Sequence, residues 1–188
     1  RMQSSKPKAL HPILGKPMIC YAVEAVANIS TQKPIVIIQP DSQDFYDVLG
    51  DGVQYIEQGQ PLGTGHATLQ AGVLLRGQTD LVLVLSADMP LVRSETLQSL
   101  VNTQAGHPGP VTMLTVELDE SHGFGRILRD ASGNVQAIIE QDDATQAQMA
   151  IRELNASIYC FQSNWLWDAL PKIERSAKGE YYLTDLIK

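Results

Sequence analysis

Residues Asp80-Leu81-Val82-Leu83-Val84-Leu85-Ser86 form an apolar run bounded by polar groups. Every central position is Leu or Val, so a strand built from it has no face suited to water. A strand buried on both faces belongs in a sheet covered by helices, and such sheets are mainly parallel.

Reading outward, Met18, Tyr21, Ala22, Ala25 and Val26 repeat at helical spacing and predict a helix over 17–28, with Pro17 in its first turn. The β-branched run at 34–39 lies between prolines and predicts a buried strand. A short helix over 42–49, capped by Asp41 or Ser42, and a strand over 53–57 follow. Gly63-Thr64-Gly65 opens a helix reaching about Leu75, and the 80–86 strand leads to a helix over 94–102 and a strand over 111–118. Strands and helices alternate, which predicts an α/β fold with a doubly wound sheet. In the second half, 126–129 and 135–140 flank Asp130-Ala131-Ser132-Gly133-Asn134 as a hairpin. A strand over 153–161, a helix over 163–173 carrying both tryptophans and a last helix starting at Tyr181 complete the order.

The 188 residues suffice for one domain with a real core, and 44% apolar with 19% charged residues reads as globular. A net charge of −7 opposes a nucleic-acid footprint, which needs a basic face. Cys20 and Cys160 lie in apolar stretches and read as buried free thiols. The apolar run at 81–85 is too short to span a bilayer, and no charged-then-apolar leader opens the chain. A cytoplasmic protein without a membrane partner is the expectation. The polar opening Arg1-Met2-Gln3-Ser4-Ser5-Lys6-Pro7-Lys8 reads as a loop whose preceding strand is missing.

Ligands of open α/β sheets bind beyond the carboxyl ends of strands. Asp88 follows the buried strand at once, in Ser86-Ala87-Asp88-Met89-Pro90-Leu91. It either offers Mg²⁺ a carboxylate or starts a turn and caps the next helix. In Gln58-Gly59-Gln60-Pro61-Leu62-Gly63-Thr64-Gly65-His66-Ala67, the glycines could expose N–H donors and the Gln58 amide could pair with a base edge. The bland reading is an ordinary turn with Thr64 as N-cap. His66 reads as packed or hydrogen-bonded. Arg1, Lys6 and Lys8 form a local basic surplus suited either to polyphosphate or to solvent. Gly125 permits close backbone approach or merely shapes a bend, while Glu140 and Asn155 sit among apolar neighbours and require partners.

Their order along the chain resembles the sugar nucleotidyltransferases. Arg1-Met2 with Pro7-Lys8 resembles the tail of a Leu-Ala-Ala-Gly-x-Gly-Thr-Arg-Met loop, and Gly15-Lys16-Pro17-Met18 follows. Gln58 to Ala67 resembles Gln-x-x-x-Leu-Gly-Thr-Gly-His-Ala, and Asp88-Met89-Pro90-Leu91 resembles Gly-Asp-x-Pro-Leu. Gly123 to Ile127, Glu140 to Thr145 and Gly179 to Asp185 match in order. The pattern is that of the bifunctional bacterial GlmU family, N-acetylglucosamine-1-phosphate uridylyltransferase / glucosamine-1-phosphate acetyltransferase.

This resemblance implies a three-layer α/β/α, Rossmann-like nucleotidyltransferase (GT-A-like) fold with a mixed, mainly parallel sheet. It implies one domain over 1–188, truncated at both ends, that joins UTP and N-acetylglucosamine 1-phosphate for cell-wall precursor synthesis. Arg1 and Lys8 would contact the triphosphate, Gln58 and Gly63 the uracil, Thr64 the nucleotide end, and Asp88 the Mg²⁺. Gly125, Glu140, Asn155 and Thr184 would hold the sugar. A homotrimer would form only through a C-terminal β-helix domain that this chain lacks. Four departures stand out: the glycine-rich loop before Arg1 is absent, a second metal ligand lies beyond the chain end, Ser86-Ala87 replaces Tyr-Gly, and Asn155-Ala156-Ser157 replaces Asn-Thr-Gly. Another sugar 1-phosphate, another pyrimidine nucleotide, or a non-catalytic nucleotide-sugar binder are the alternatives.

Overall fold

The computed structural model describes residues 4, 6–119 and 123–187. Arg1 lies outside the described residues.

The elements follow the predicted order. Short strands β1 (Pro12–Ile13) and β2 (Lys16–Pro17) precede helix α1 (Met18–Ala27). Then come β3 (Ile35–Ile38), α2 (Gln43–Leu49), β4 (Gln54–Glu57), α3 (Thr64–Gln70) and α4 (Gly72–Leu75). The run at 80–86 becomes β5 (Leu81–Leu85), followed by α5 (Ser94–Gly106) and β6 (Val111–Glu117). The hairpin is β7 (Arg126–Arg129) and β8 (Val135–Ile139). After α6 (Gln146–Met149) come β9 (Glu153–Gln162) and α7 (Ser163–Ala169).

The α/β class stands, with a different balance of pairings from the mainly parallel sheet expected. Among the described residues, β3 with β4 is the parallel ladder, and those of the larger sheet are antiparallel. The cause is β9. Its residues 158–162 pair with β5, and the same stretch pairs with β6, so β5 and β6 occupy opposite edges of β9. These two strands run in the same direction but are separated by a strand antiparallel to both. The amino-terminal part of β9 meets β7 at Leu154 opposite Arg126.

Alternation along β9 explains why it can lie centrally. Ile158 and Cys160 face a cluster with Leu97 and Leu100 of α5 and Ala25 of α1. Tyr159 and Phe161 face the other way, onto Leu166, Trp167, Leu170 and Leu183. Successive strand residues point to opposite faces, so each face carries its own core and its own helix layer. The Trp167 indole N–H donates to Ser163 Oγ at 2.9 Å, which satisfies its polar atom inside the core. Burial pushes the Cys160 thiol up to about 11, and both cysteines are free, Cys160 buried and Cys20 half-buried.

A cavity of about 1130 Å³ runs along β5 and β3. Residues Leu81 to Leu85 all line it in succession, as do Ile35, Val36 and Ile37. Alternating side chains cannot place consecutive residues on one face, so the cavity meets the edges of these strands. This is why most of β5 is only half-buried, although its sequence suits burial on both faces.

The last helix expected from Tyr181 is instead a 3-10 turn over Leu183–Leu186. Tyr181 donates its N–H to Leu62 O and accepts from Gly65 N–H, both at 2.8 Å, which holds it outside a helix. Among the described residues no helix is long and apolar enough to cross a membrane.

Phe161, next to the carboxyl end of β9, is fully buried, whereas Leu91 is 89% exposed. Phe161→Ala should cost about 3–5 kcal/mol in urea unfolding, and Leu91→Ala should stay within about 0.5 kcal/mol.

Candidate active site

Asp88 stands just beyond the carboxyl end of β5. Burial alone raises its carboxyl, but hydrogen bonds from the Lys8 ammonium and the Ser86 hydroxyl outweigh it and hold the group below the usual carboxylate range. Lys8 ion-pairs with Oδ2, and Ser86 donates to Oδ1 at 2.5 Å. The Asp88 side chain is 25% exposed and that of Lys8 64%, so the pair lies at an opening. Asp88 does not cap α5; that position belongs to Arg93. Ser86 was noticed in the sequence only as a departure from a pattern, yet it orients the carboxylate.

The glycine turn is fastened to the far end of the chain. Gly63 has φ +99°, and a Cβ there would lie 2.6 Å from Tyr181 O. Glycine is required on both counts. Thr64 is the first helical residue rather than the N-cap, and its Oγ1 accepts from Leu183 N–H at 3.0 Å. The Gly65 N–H is spent on Tyr181 O. The turn therefore builds a wall, and its glycines do not all offer free donors. Gln58 is buried beneath this turn, with its Nε2 3.4 Å from Gly63 O and 2.7 Å from His66 Nδ1.

Next to this strap, Thr184 donates to Glu140 Oε1 at 3.0 Å. Lys178 ion-pairs with Asp142 at 2.8 Å, closing the 140–145 segment against the same carboxyl-terminal stretch. Asn155 Oδ1 accepts from Ser157 N–H at 3.0 Å and from Tyr159 OH at 2.8 Å, so part of its capacity is structural. The Tyr159 hydroxyl is pushed up to about 12, mainly by burial. Gly125 O accepts from Asn155 N–H at 2.8 Å, and a Cβ on Gly125 would press on Ile138 at 3.0 Å. Ser157 has φ +56°, the left-handed region in which a side chain is strained. It stands where the resembling pattern has glycine, and its turn is held by the Asn155 carbonyl.

Gln58, Gly63, Thr64, Glu140 and Thr184 all line this cavity, together with Ser86 and Ala87. Asp88 with Lys8 adjoins this wall one residue further on. Asn155 and Gly125 lie behind it, through Ser157 and Tyr159, which do line it. Of the predicted site, Arg1 alone falls outside the described residues. Sequence reasoning missed Ser86 and the contact of His66 with Gln58. A hydroxyl two residues before a carboxylate was a usable signal for the first, but the second needed the fold.

A cavity that runs along β3 and β5 and reaches the carboxyl end of β5, beside a lysine-paired aspartate, agrees with the family description Nucleotidyl transferase, which matches residues 2–188. The chain belongs to the nucleotidyl transferase family. It is 42% identical to the Bifunctional protein GlmU of Heliobacterium modesticaldum (strain ATCC 51547 / Ice1) over 188 residues, covering 100% of this chain and 41% of that protein. It is 39% identical to the Bifunctional protein GlmU of Geobacillus sp. (strain WCH70) over 189 residues, with the same coverages. The chain thus spans about two fifths of the length of the curated relatives it matches. The crystal structure of apo UDP-glucose pyrophosphorylase superposes with a TM-score of 0.72 at 18% identity, covering 96% of this chain and 77% of that one. UDP-glucose pyrophosphorylase complexed with UDP-glucose gives 0.65 at the same identity, covering 96% of this chain and 76% of that one. These two likenesses are likenesses of fold.

Gly63→Ala combines backbone strain with a backbone collision and should destabilise by at least about 2 kcal/mol in denaturant unfolding. Ser157→Gly should stabilise by roughly 0.5–1 kcal/mol in the same measurement, since it removes left-handed strain. Because the Asp88 carboxyl is lowered in the folded state, its stabilisation is complete above the ordinary carboxylate range and is lost as pH falls through the lowered value. Unfolding followed against pH should show a flatter acid limb for Asp88→Asn than for the parent chain.

Proposed function

We propose that this chain transfers a uridylyl group from UTP to N-acetylglucosamine 1-phosphate and releases pyrophosphate. The observation that carries the proposal is the half-buried Asp88 carboxylate, paired with Lys8 beside a cavity whose lining includes Gln58, Gly63, Thr64, Glu140 and Thr184. The names of the GlmU relatives support it, and their extent makes it a proposal about the domain rather than the whole protein.

In this reading a phosphate oxygen of the sugar 1-phosphate forms a bond to the α-phosphorus of UTP, and the bond from that phosphorus to the bridging oxygen of pyrophosphate breaks. The nucleophile arrives as an anion, so no side chain need remove a proton. The protein's task is to position two anions and neutralise charge. Lys8, exposed and already at the mouth, would meet the phosphates. Arg1 would join it. Gln58 and Gly63 would hold the base, Thr64 the wall beside it, and Glu140, Thr184, Asn155 and the Gly125 backbone the sugar.

The residues fit a Mg²⁺ carried on the substrate. Among the described residues no cluster of three or more His, Cys, Asp or Glu could cage a metal. Mg²⁺ in phosphoryl-transfer sites needs only one or two carboxylates beside phosphate oxygens and water, and Asp88 supplies one. When bound, the ion would supply positive charge at the reacting phosphate. Among the described residues β3 pairs with β4 alone and β5 with β9 alone, and their free edges along the cavity also support the reading of the domain as lacking a strand, since an added strand would pair with both.

A second reading changes only the sugar. Ala87 and Ser157 line the cavity at positions where the resembling pattern has glycine, and their side chains take space a substrate would otherwise use.

Pyrophosphate release should require both UTP and N-acetylglucosamine 1-phosphate. Asp88→Ala should lose on the order of 10³-fold or more in turnover while unfolding cooperatively like the parent. An Asp88→Ala chain retaining full turnover would overturn the assignment.

A further inference from the structure

The geometry points to His66 as the positioning residue that fixes the amide of Gln58 so that only its oxygen faces the cavity, making the site selective for a base that donates from an imide N–H. This rests on the proposal that Gln58 meets the base.

The Gln58 amide nitrogen lies 2.7 Å from His66 Nδ1 and 3.4 Å from Gly63 O. Both neighbours can accept. Turning the amide over would set its oxygen against the Gly63 carbonyl, acceptor to acceptor. The amide N–H groups are therefore directed at the protein, and among the described residues no group donates to Oε1. Gln58 is 8% exposed and lines the cavity, so Oε1 is its remaining polar atom for a ligand.

The arrangement demands one tautomer of His66. A neutral imidazole has a single acceptor nitrogen. Two amide nitrogens approach the ring, Gln58 at Nδ1 and Gln70 at Nε2, the latter at 3.3 Å. The shorter contact claims the acceptor, so the proton sits on Nε2. Gln70 gives up only this longer contact, because its amide nitrogen also donates to His66 O at 3.2 Å. His66 lies three residues past Gly63 on α3, whose start is fastened to residues 181–183, so the ring is held in place by the same strap that shapes the turn.

An acceptor facing the base discriminates by chemistry. Uracil and thymine carry a donor at N3, between two carbonyls. Cytosine has a lone pair at N3, which an amide oxygen repels. Selectivity thus comes from one attractive contact and one repulsive contact at the same atom.

Two measurements test this. The first is the tautomer of His66 in the ligand-free protein, read from long-range ¹H–¹⁵N correlations and assigned by the signal lost in His66→Leu among the four histidines. The expected result is a bare Nδ1 and a protonated Nε2, and a proton on Nδ1 overturns the proposal without reference to any ligand. The second is the affinity for UTP and CTP by calorimetry. His66→Leu should lose the preference for UTP by roughly tenfold or more, since the long 3.4 Å contact with Gly63 O is then all that opposes turning Gln58 over. His66→Asn, whose Oδ1 can stand in for Nδ1, should restore it. A His66→Leu chain with undiminished preference overturns the role of His66. A parent chain that does not prefer UTP instead overturns the reading of Gln58 at the base, and the tautomer measurement still decides the latch.

Discussion

Both halves of this fold depend on the pairing of β9 along its two edges. β5 and β6 meet it from opposite sides and β7 joins its amino-terminal end, so the larger sheet has no continuity without it. Its alternating faces feed two separate cores, one against α1 and α5 and one against α7. A strand in this position must satisfy hydrogen bonding on both edges and burial on both faces at once. The apolar sequence around 154–161 meets that demand, with Asn155 and Ser157 as the exceptions where the strand borders the cavity.

The site is a second-order product of that arrangement. The strand ends deliver Asp88 and the Glu140 segment to one side of the sheet, while the chain beyond α7 returns to clasp the Leu62–Gly65 turn through main-chain bonds and the Thr64 hydroxyl. Thr184 and Lys178 extend the clasp to Glu140 and Asp142. The Leu62–Gly65 turn and the 140–142 segment are thereby tied to each other through the last residues of the chain, although more than a hundred residues separate Thr64 from Leu183.

Much of this was legible in the sequence because its signals are local. The Leu-Val run of β5, the helical spacing of α1 and the turn at 130–134 each state their conformation within a few residues. The direction of β9 was not legible, because burial on both faces leaves the same apolar pattern in parallel and antiparallel strands. The end of the chain misled for a related reason: Tyr181 to Lys188 suits a helix locally, but its N–H groups have better partners in the distant turn. Candidate site residues on strand ends were chosen by position and order. Ser86, Ser157 and His66 escaped as contributors because each acts through a neighbour, by donating to Asp88, by adopting a left-handed turn under Asn155, or by contacting Gln58.

The uncovered edges of β3 and β5 carry a practical consequence. Each presents a row of backbone donors and acceptors beside an apolar lining, and such an edge pairs with any extended chain that reaches it.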